Sequence, residues 1–184
     1  MKKITWIVLI IVVLVILFAW SSYNRFVSLS ESVNNQWAQV ETQYQRRFDL
    51  IPNLVESVKG VMKQEQAVFT AIADARTKYA GAKTVDAKAQ AAGQMESALG
   101  RLLVISENYP ELKSAETVQT LMAQLEGTEN RVSVERKRFN DIVQSYNLRT
   151  KRFPGSIFAS IFGFTARPYL ESVKGSENAP KVEF

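Results

Sequence analysis

The chain has 184 residues, 23 Lys and Arg against 18 Asp and Glu, a formal net charge of +5, and neither cysteine nor histidine. A length of this order holds one compact domain with appendages, and without cysteine there is no disulfide, thiolate metal site or lipid-bearing lipobox. Without histidine the commonest general base, the commonest metal ligand and the usual partner of a serine nucleophile are missing, which weighs against an enzyme.

The chain opens "MKKITWIVLIIVVLVILFAWSSYN". Between Ile4 and Trp20 only Thr5 interrupts the apolar run, and no charge falls between Lys3 and Arg25. At about 1.5 Å per residue that uncharged stretch spans about 31 Å as a helix, enough for the hydrocarbon core of a bilayer. Trp6, Trp20 and Tyr23 stand where interfacial aromatics belong. A cleaved signal peptide would carry a shorter apolar region, about 7–15 residues, and a small-x-small exit. "LFAWSSYN" offers only Ala19 and Ser21 around a bulky Trp20, so an uncleaved anchor is the favoured reading. Lys2, Lys3 and the initial amine outweigh the lone Arg25, which directs the N-terminus to the cytoplasm and the rest of the chain to the far side of a bacterial inner membrane. Removing Lys2 and Lys3 from the 23 basic residues leaves 21 against 18 acidic ones, a net +3. That balance does not suggest nucleic acid.

Beyond the anchor, apolar residues recur in steps of three and four through Val33, Trp37, Val40, Tyr44, Phe48, Ile51, Val55, Val58 and Met62, the spacing of a helical seam. Nothing breaks the helix before Ile51, so it continues from the anchor as a stalk. Pro52, without an N–H and with its ring against the carbonyl of Phe48, predicts a kink, and Gly60 an end. A second helix runs through Val68, Phe69, Ile72, Ala75 and Tyr79 to Gly81. Thr84 is a candidate N-cap for a third, with Asp86 in its first turn. That helix passes through Met95, Leu99, Leu102, Ile105 and Tyr109 to Pro110. The fourth, capped by Ser114, is marked by Val118, Leu121, Leu125, Val132, Phe139, Val143 and Tyr146, and Pro154 closes it.

The reading is all-α. The first and fourth helices, about 58 Å each outside the anchor, are longer than the middle pair at about 30–35 Å. Short links predict an N-terminal transmembrane helix followed by an antiparallel up-and-down four-helix bundle, with the short pair at the distal end. The boundaries are an anchor at 1–24, a bundle at 25–165 and a flexible tail at 166–184. An antiparallel register with paired positions summing to about 175 brings Arg149 to Arg152 level with Tyr23 to Phe26.

Three constellations stand out. The first helix carries the polar residues Arg46, Arg47, Asp49 and Asn53 and the fourth Glu126, Glu129, Asn130 and Asn140, and the register places Arg46 and Arg47 level with Thr128 and Glu129. An interhelical polar layer that fixes register is the simpler reading, against a ligand or metal pocket. Carboxylate-bridged metal bundles use Glu-x-x-His pairs, so no metal, cofactor or catalytic residue is expected. Next, "FPGSIFASIFGF" (153–164) places Ile157, Phe158, Ile161 and Phe162 on one face of a short helix between Gly155 and Gly163, with Phe164 beyond and Arg149, Lys151 and Arg152 before it. This face caps the bundle's own core, rests in a lipid interface or meets a partner. Last, the tail ends in Val182, Glu183 and Phe184, an apolar-x-apolar carboxyl end of the kind PDZ domains capture. The basic run "ERKR" (135–138) reads as a solvated helix face, and nucleic acid is not an expected partner.

"RRFDLIPNLVESVKG" (46–60), "LLVISENYPELK" (102–113), "TENRVSVERKRFNDIVQSYN" (128–147) and "FPGSIFASIFGF" follow in the order and spacing of the LemA family, which the whole chain resembles. Phe139 stands where that family more often has tyrosine. The resemblance implies an up-and-down four-helix bundle on a bacterial membrane anchor, without an established catalytic function. Some members are encoded beside membrane proteases, a hint of a partner. The expectation is therefore a membrane-anchored, non-enzymatic scaffold or adaptor that meets lipid and self-associates, with Phe26 and Leu29 able to support homo-oligomers. The alternative is a ligand sensor, or a regulator of a neighbouring membrane protease or PDZ-containing protein acting through the tail.

Overall fold

The computed structural model describes residues 2–170; Val182 and Phe184 lie outside the described residues. Among the described residues six helices follow in order: α1 Lys2–Lys59, α2 Gln66–Gly81, α3 Val85–Ser106, α4 Pro110–Ser114, α5 Glu116–Lys151 and α6 Gly155–Phe162. No strand occurs among the described residues, whose regular structure is all helical.

One helix among the described residues, α1, is long and apolar enough to cross a membrane. Its residues from Ile4 to Phe18, and Trp20, are exposed. In water that surface would be strongly unfavourable, so its natural surroundings are apolar. Farther along, α1 buries Phe26, Val33, Val40, Tyr44, Phe48, Ile51, Leu54 and Val58, spacings that keep one stripe inward. Pro52 sits inside the helix, which continues to Lys59. Proline removes one backbone hydrogen bond there, and the burial of Leu54 and Val58 in the next turns offsets that loss. Leu54 rather than Val55 takes the inward position after the proline.

The chain divides into two compact units. The first comprises 2–38 with 137–169, the second 39–136 with Leu170. In the first unit Trp37 of α1 meets Phe139 of α5 edge to face, with centroids 5.9 Å apart. The ring of Phe139 is buried, so an apolar phenyl suits the position. In the second unit a three-residue link turns α2 back on α3, and Lys78 Nζ donates to Gln94 Oε1 across the hairpin at 3.0 Å. Buried Ala75, Ala91, Ala92 and Ala98 let these two backbones approach closely. Thr84 caps α3, its Oγ1 accepting from the Ala87 N–H at 3.2 Å, with Asp86 in the positive first turn.

Two helix ends differ from the sequence reading. The third helix stops at Ser106, so Tyr109 lies outside it, and Pro110 opens α4 instead of closing α3. At a first helical position the missing N–H is harmless. Ser114, expected to cap the long helix, is the last residue of α4, and α5 begins at Glu116. Farther on, Gly163 adopts the left-handed conformation (φ 74°, ψ 21°), which only glycine takes without strain. The Phe164 N–H then returns to the Ala159 carbonyl at 2.9 Å.

Candidate functional site

In the second unit, α1, α3 and α5 bring charge into a largely apolar interior. Arg47 is buried, and its Nη1 donates to a carboxylate oxygen of Glu129 on α5. The Arg47 Nε is buried without a hydrogen-bond partner among the described residues. Glu96 of α3, half-buried, joins the pair from the side and hydrogen-bonds to Glu129. Burial pushes the Glu96 carboxyl above the usual carboxylate range. The charge of Glu129 and the hydrogen bond to it act in the same direction, while Arg47 and Arg136 pull it back. Burial likewise raises the phenol of Tyr44, against the opposing charge of Arg136. The group is thus two neighbouring glutamates, one of them paired with Arg47, with Arg136 acting on Glu96 through its charge.

Of the residues read as a polar layer, Arg47 and Glu129 meet. Arg46, Asp49, Asn53 and Asn130 are exposed. Asp49 accepts from Gln45 at 2.9 Å on the same helix, and the Asn53 carbonyl accepts from Ser57 at 2.7 Å. Neighbouring positions on a helix point about 100° apart, so Arg46 and Arg47 cannot share one seam. Glu126 is exposed as well. Glu96 escaped the sequence reading because it stands among the small residues of α3 and carries no motif. A buried carboxylate seeking a second partner leaves no local trace.

On another side of α1, Lys88 of α3 pairs with Glu41. Its Nζ lies 5.8 Å from the centroid of the Tyr79 ring, within cation–π range. Tyr79 packs on Phe48 and Tyr44 at 4.3 and 5.9 Å. Among the described residues no group of three or more His, Cys, Asp and Glu is placed to hold a metal ion.

Beside the Arg47–Glu129 pair opens a cleft of about 780 Å³, a size common for binding sites. It is lined by Leu99, Leu103 and Val104 of α3 and by Val118, Met122 and Leu125 of α5, together with Arg47 and Leu54 of α1 and Leu112 of α4. Glu107, Glu126 and Glu129 stand at its edge.

In the first unit α6 lies against α1 through its aromatic side. Phe158 meets Phe18 at 5.4 Å, Phe162 meets Tyr23 at 5.2 Å, and Phe164 stacks on Phe26 at 5.0 Å. Arg149, half-buried, holds its guanidinium carbon 6.0 Å from the Phe26 centroid. The face expected as a single patch is therefore divided. Phe158, Phe162 and Phe164 are half-buried, while Ile157 and Ile161 point outward, 50 % and 67 % exposed, beside exposed Lys151, Arg152 and Phe153. Gly155 permits this turn, because a Cβ there would collide with the backbone carbonyl oxygen of Arg149.

A clamp absent from the sequence reading secures the chain after α6. Buried Asn147 donates from Nδ2 to the Arg167 carbonyl and accepts from the Arg167 N–H, both at 2.8 Å. The side-chain amide thus imitates a strand partner.

Glu96 gives a pH test. Its raised pKa means that the folded chain holds this proton more tightly than the unfolded chain, whose carboxyl titrates near 4.5. The resulting stability is complete below that value and is lost as the pH rises through the folded-state pKa. Glu96→Gln keeps a neutral hydrogen-bonding group. Its urea midpoint relative to wild type should therefore climb with pH and level off once wild-type Glu96 is ionised. A difference that stays flat or falls would reject the assignment.

The LemA family profile matches residues 36–184. Two relatives from Paramagnetospirillum magneticum, named Magnetosome protein MamQ 1 and MamQ 2, are each 27 % identical over 175 residues, covering 81 % of this chain and 64 % of theirs. Magnetosome protein MamQ of Magnetospirillum gryphiswaldense is 28 % identical over 174 residues, covering 80 % and 64 %. The chain thus spans just under two thirds of the length of these curated relatives. With most of its residues inside the family profile, and the four sequence blocks falling on α1, on α3 with α4, on α5 and around α6, this chain belongs to the LemA family.

Proposed function

We propose that the protein is a membrane-anchored, non-enzymatic scaffold or adaptor that self-associates at a membrane surface. The observation that carries this reading is the dual character of α1. It exposes an uninterrupted apolar surface from Ile4 to Phe18, yet supplies buried side chains to each of the two units farther along. A helix of that kind makes the membrane span and the packed helices one covalent element, so anchoring needs no separate linker.

The finer architecture proposed is an up-and-down four-helix bundle of α1, α2, α3 and α5 outside the cytoplasm, with the N-terminus inside. The α2–α3 hairpin, the Arg47–Glu129 pair and the Lys88–Glu41 pair support it. Ile157, Ile161 and Phe153, flanked by Arg149, Lys151 and Arg152, form the proposed lipid-interface contact, since apolar side chains beside cations suit anionic headgroups. The names of the curated relatives refer to a cellular structure rather than to a reaction, which accords with a structural role. A second reading, a ligand sensor, is favoured by one observation, the cleft beside the Arg47–Glu129 pair.

Light scattering on the full-length protein in detergent tests the main reading. A complex of several copies is the expected result. A strict monomer at all protein concentrations would overturn self-association.

A further inference from the structure

The cleft of the second unit has two properties that point to one kind of occupant. Its walls are apolar and open, with Leu103 and Val104 of α3 48 % and 69 % exposed, well outside the apolar run of α1. Large aliphatic side chains bordering a cavity of about 780 Å³ are unusual on a surface whose only neighbour is water. Its edge is acidic. Glu107 and Glu126 are exposed and have no ion-pair partner among the described residues, whereas Glu129 is engaged by Arg47. Arg47 is therefore neutralised, and among the described residues lining the cleft two carboxylates remain to set its charge.

We infer that this cleft docks an amphipathic helical segment of a partner protein, with aliphatic side chains between α3 and α5 and lysine or arginine against Glu107 and Glu126. The groove between two helices suits the helix-in-groove mode, in which anchors at i, i+3 or i+4 and i+7 enter an apolar trough. Acidic residues at its edge then select basic segments and repel acidic ones. The inference deepens the adaptor reading and rests on it, because an adaptor must hold a second protein.

The test uses the full-length protein in zwitterionic nanodiscs, with empty nanodiscs subtracted. The probes are two fluorescent 14-residue amphipathic peptides, one of leucine and lysine and one of leucine and glutamate. The lysine peptide should bind at least about tenfold more tightly, which is on the order of 1.4 kcal/mol. Glu107→Gln with Glu126→Gln should remove most of that preference. Val104→Asp should weaken the lysine peptide despite adding negative charge, because it places a charge on the apolar wall. Circular dichroism checks that each variant is folded. Equal binding of both peptides, or a lysine preference untouched by all three substitutions, would overturn the docking site. Self-association by light scattering is read independently, so a failed cleft and a failed scaffold are distinguishable.

Discussion

Replacing Phe26 by alanine should destabilise the first unit by about 3–4 kcal/mol, within the range for truncating a buried phenylalanine. Phe26 has no exposed surface. Its ring stacks on Phe164 and lies under the Arg149 guanidinium, so the substitution removes an aromatic pair and a cation–π contact along with buried area. The expected readout is local as well as global. Amide hydrogen exchange across 158–164 should accelerate by two orders of magnitude or more if opening is eased by about 3 kcal/mol. The magnitude also reports on surroundings. Phe26 stands six residues past Trp20, about 9 Å along a helix from the end of the apolar run, and beyond Arg25. A loss of this size fits a ring sheltered from water, whereas a ring sheltered only from lipid would yield much less, because acyl chains are as apolar as phenylalanine. A loss below about 1 kcal/mol would place α6 and its contacts inside the hydrocarbon.

Arg47→Met should cost about 2–3 kcal/mol. Breaking a buried ion pair by removing one partner typically costs about 3–5 kcal/mol, and the figure is lowered here because the Glu129 side chain is 34 % exposed. Methionine keeps much of the volume and removes the unpartnered Nε, so the loss isolates the charge left behind. Two carboxyl groups then face each other with Arg136 as the remaining cation acting on Glu96. Glu96 should hold its proton to still higher pH, and the variant should lose stability more steeply than wild type as the pH rises. Adding Glu129→Leu to Arg47→Met should recover most of the loss, because an apolar pair of similar size leaves no charge unpaired. An Arg47→Met variant as stable as wild type across the acid and neutral range would mean that the pair contributes nothing to the fold.

The two experiments probe features that differ in how far the sequence announces them. Helix order and type follow from local patterns. The apolar stripe of α1, the Thr84 cap and the stop at Gly81 each depend on residues within about one turn of each other, and side-chain chemistry at that range is legible in a linear text. Tyr109 and Ser114 show the limit. Both lie in the 107–115 stretch, where a five-residue helix intervenes and proline can either stop one helix or start the next. The polar layer shows it again. Arg46 and Arg47 look equivalent in sequence, but a turn of about 100° separates them, and only Arg47 reaches Glu129.

What the sequence determines by itself is the chain's local grammar: an apolar run sufficient for a bilayer, helices with their periodic inner faces, and the blocks that carry the family likeness. The tertiary structure decides which of those faces meet. It joins Glu96 to Glu129 from helices far apart in sequence, divides the Phe-rich segment into an aromatic side held by α1 and an isoleucine side left outward, and ties Asn147 to Arg167. The reason is geometric. Helix formation depends on neighbours three or four residues away, whereas a contact between helices depends on their rotation and rise together, and small changes in either exchange one partner for another.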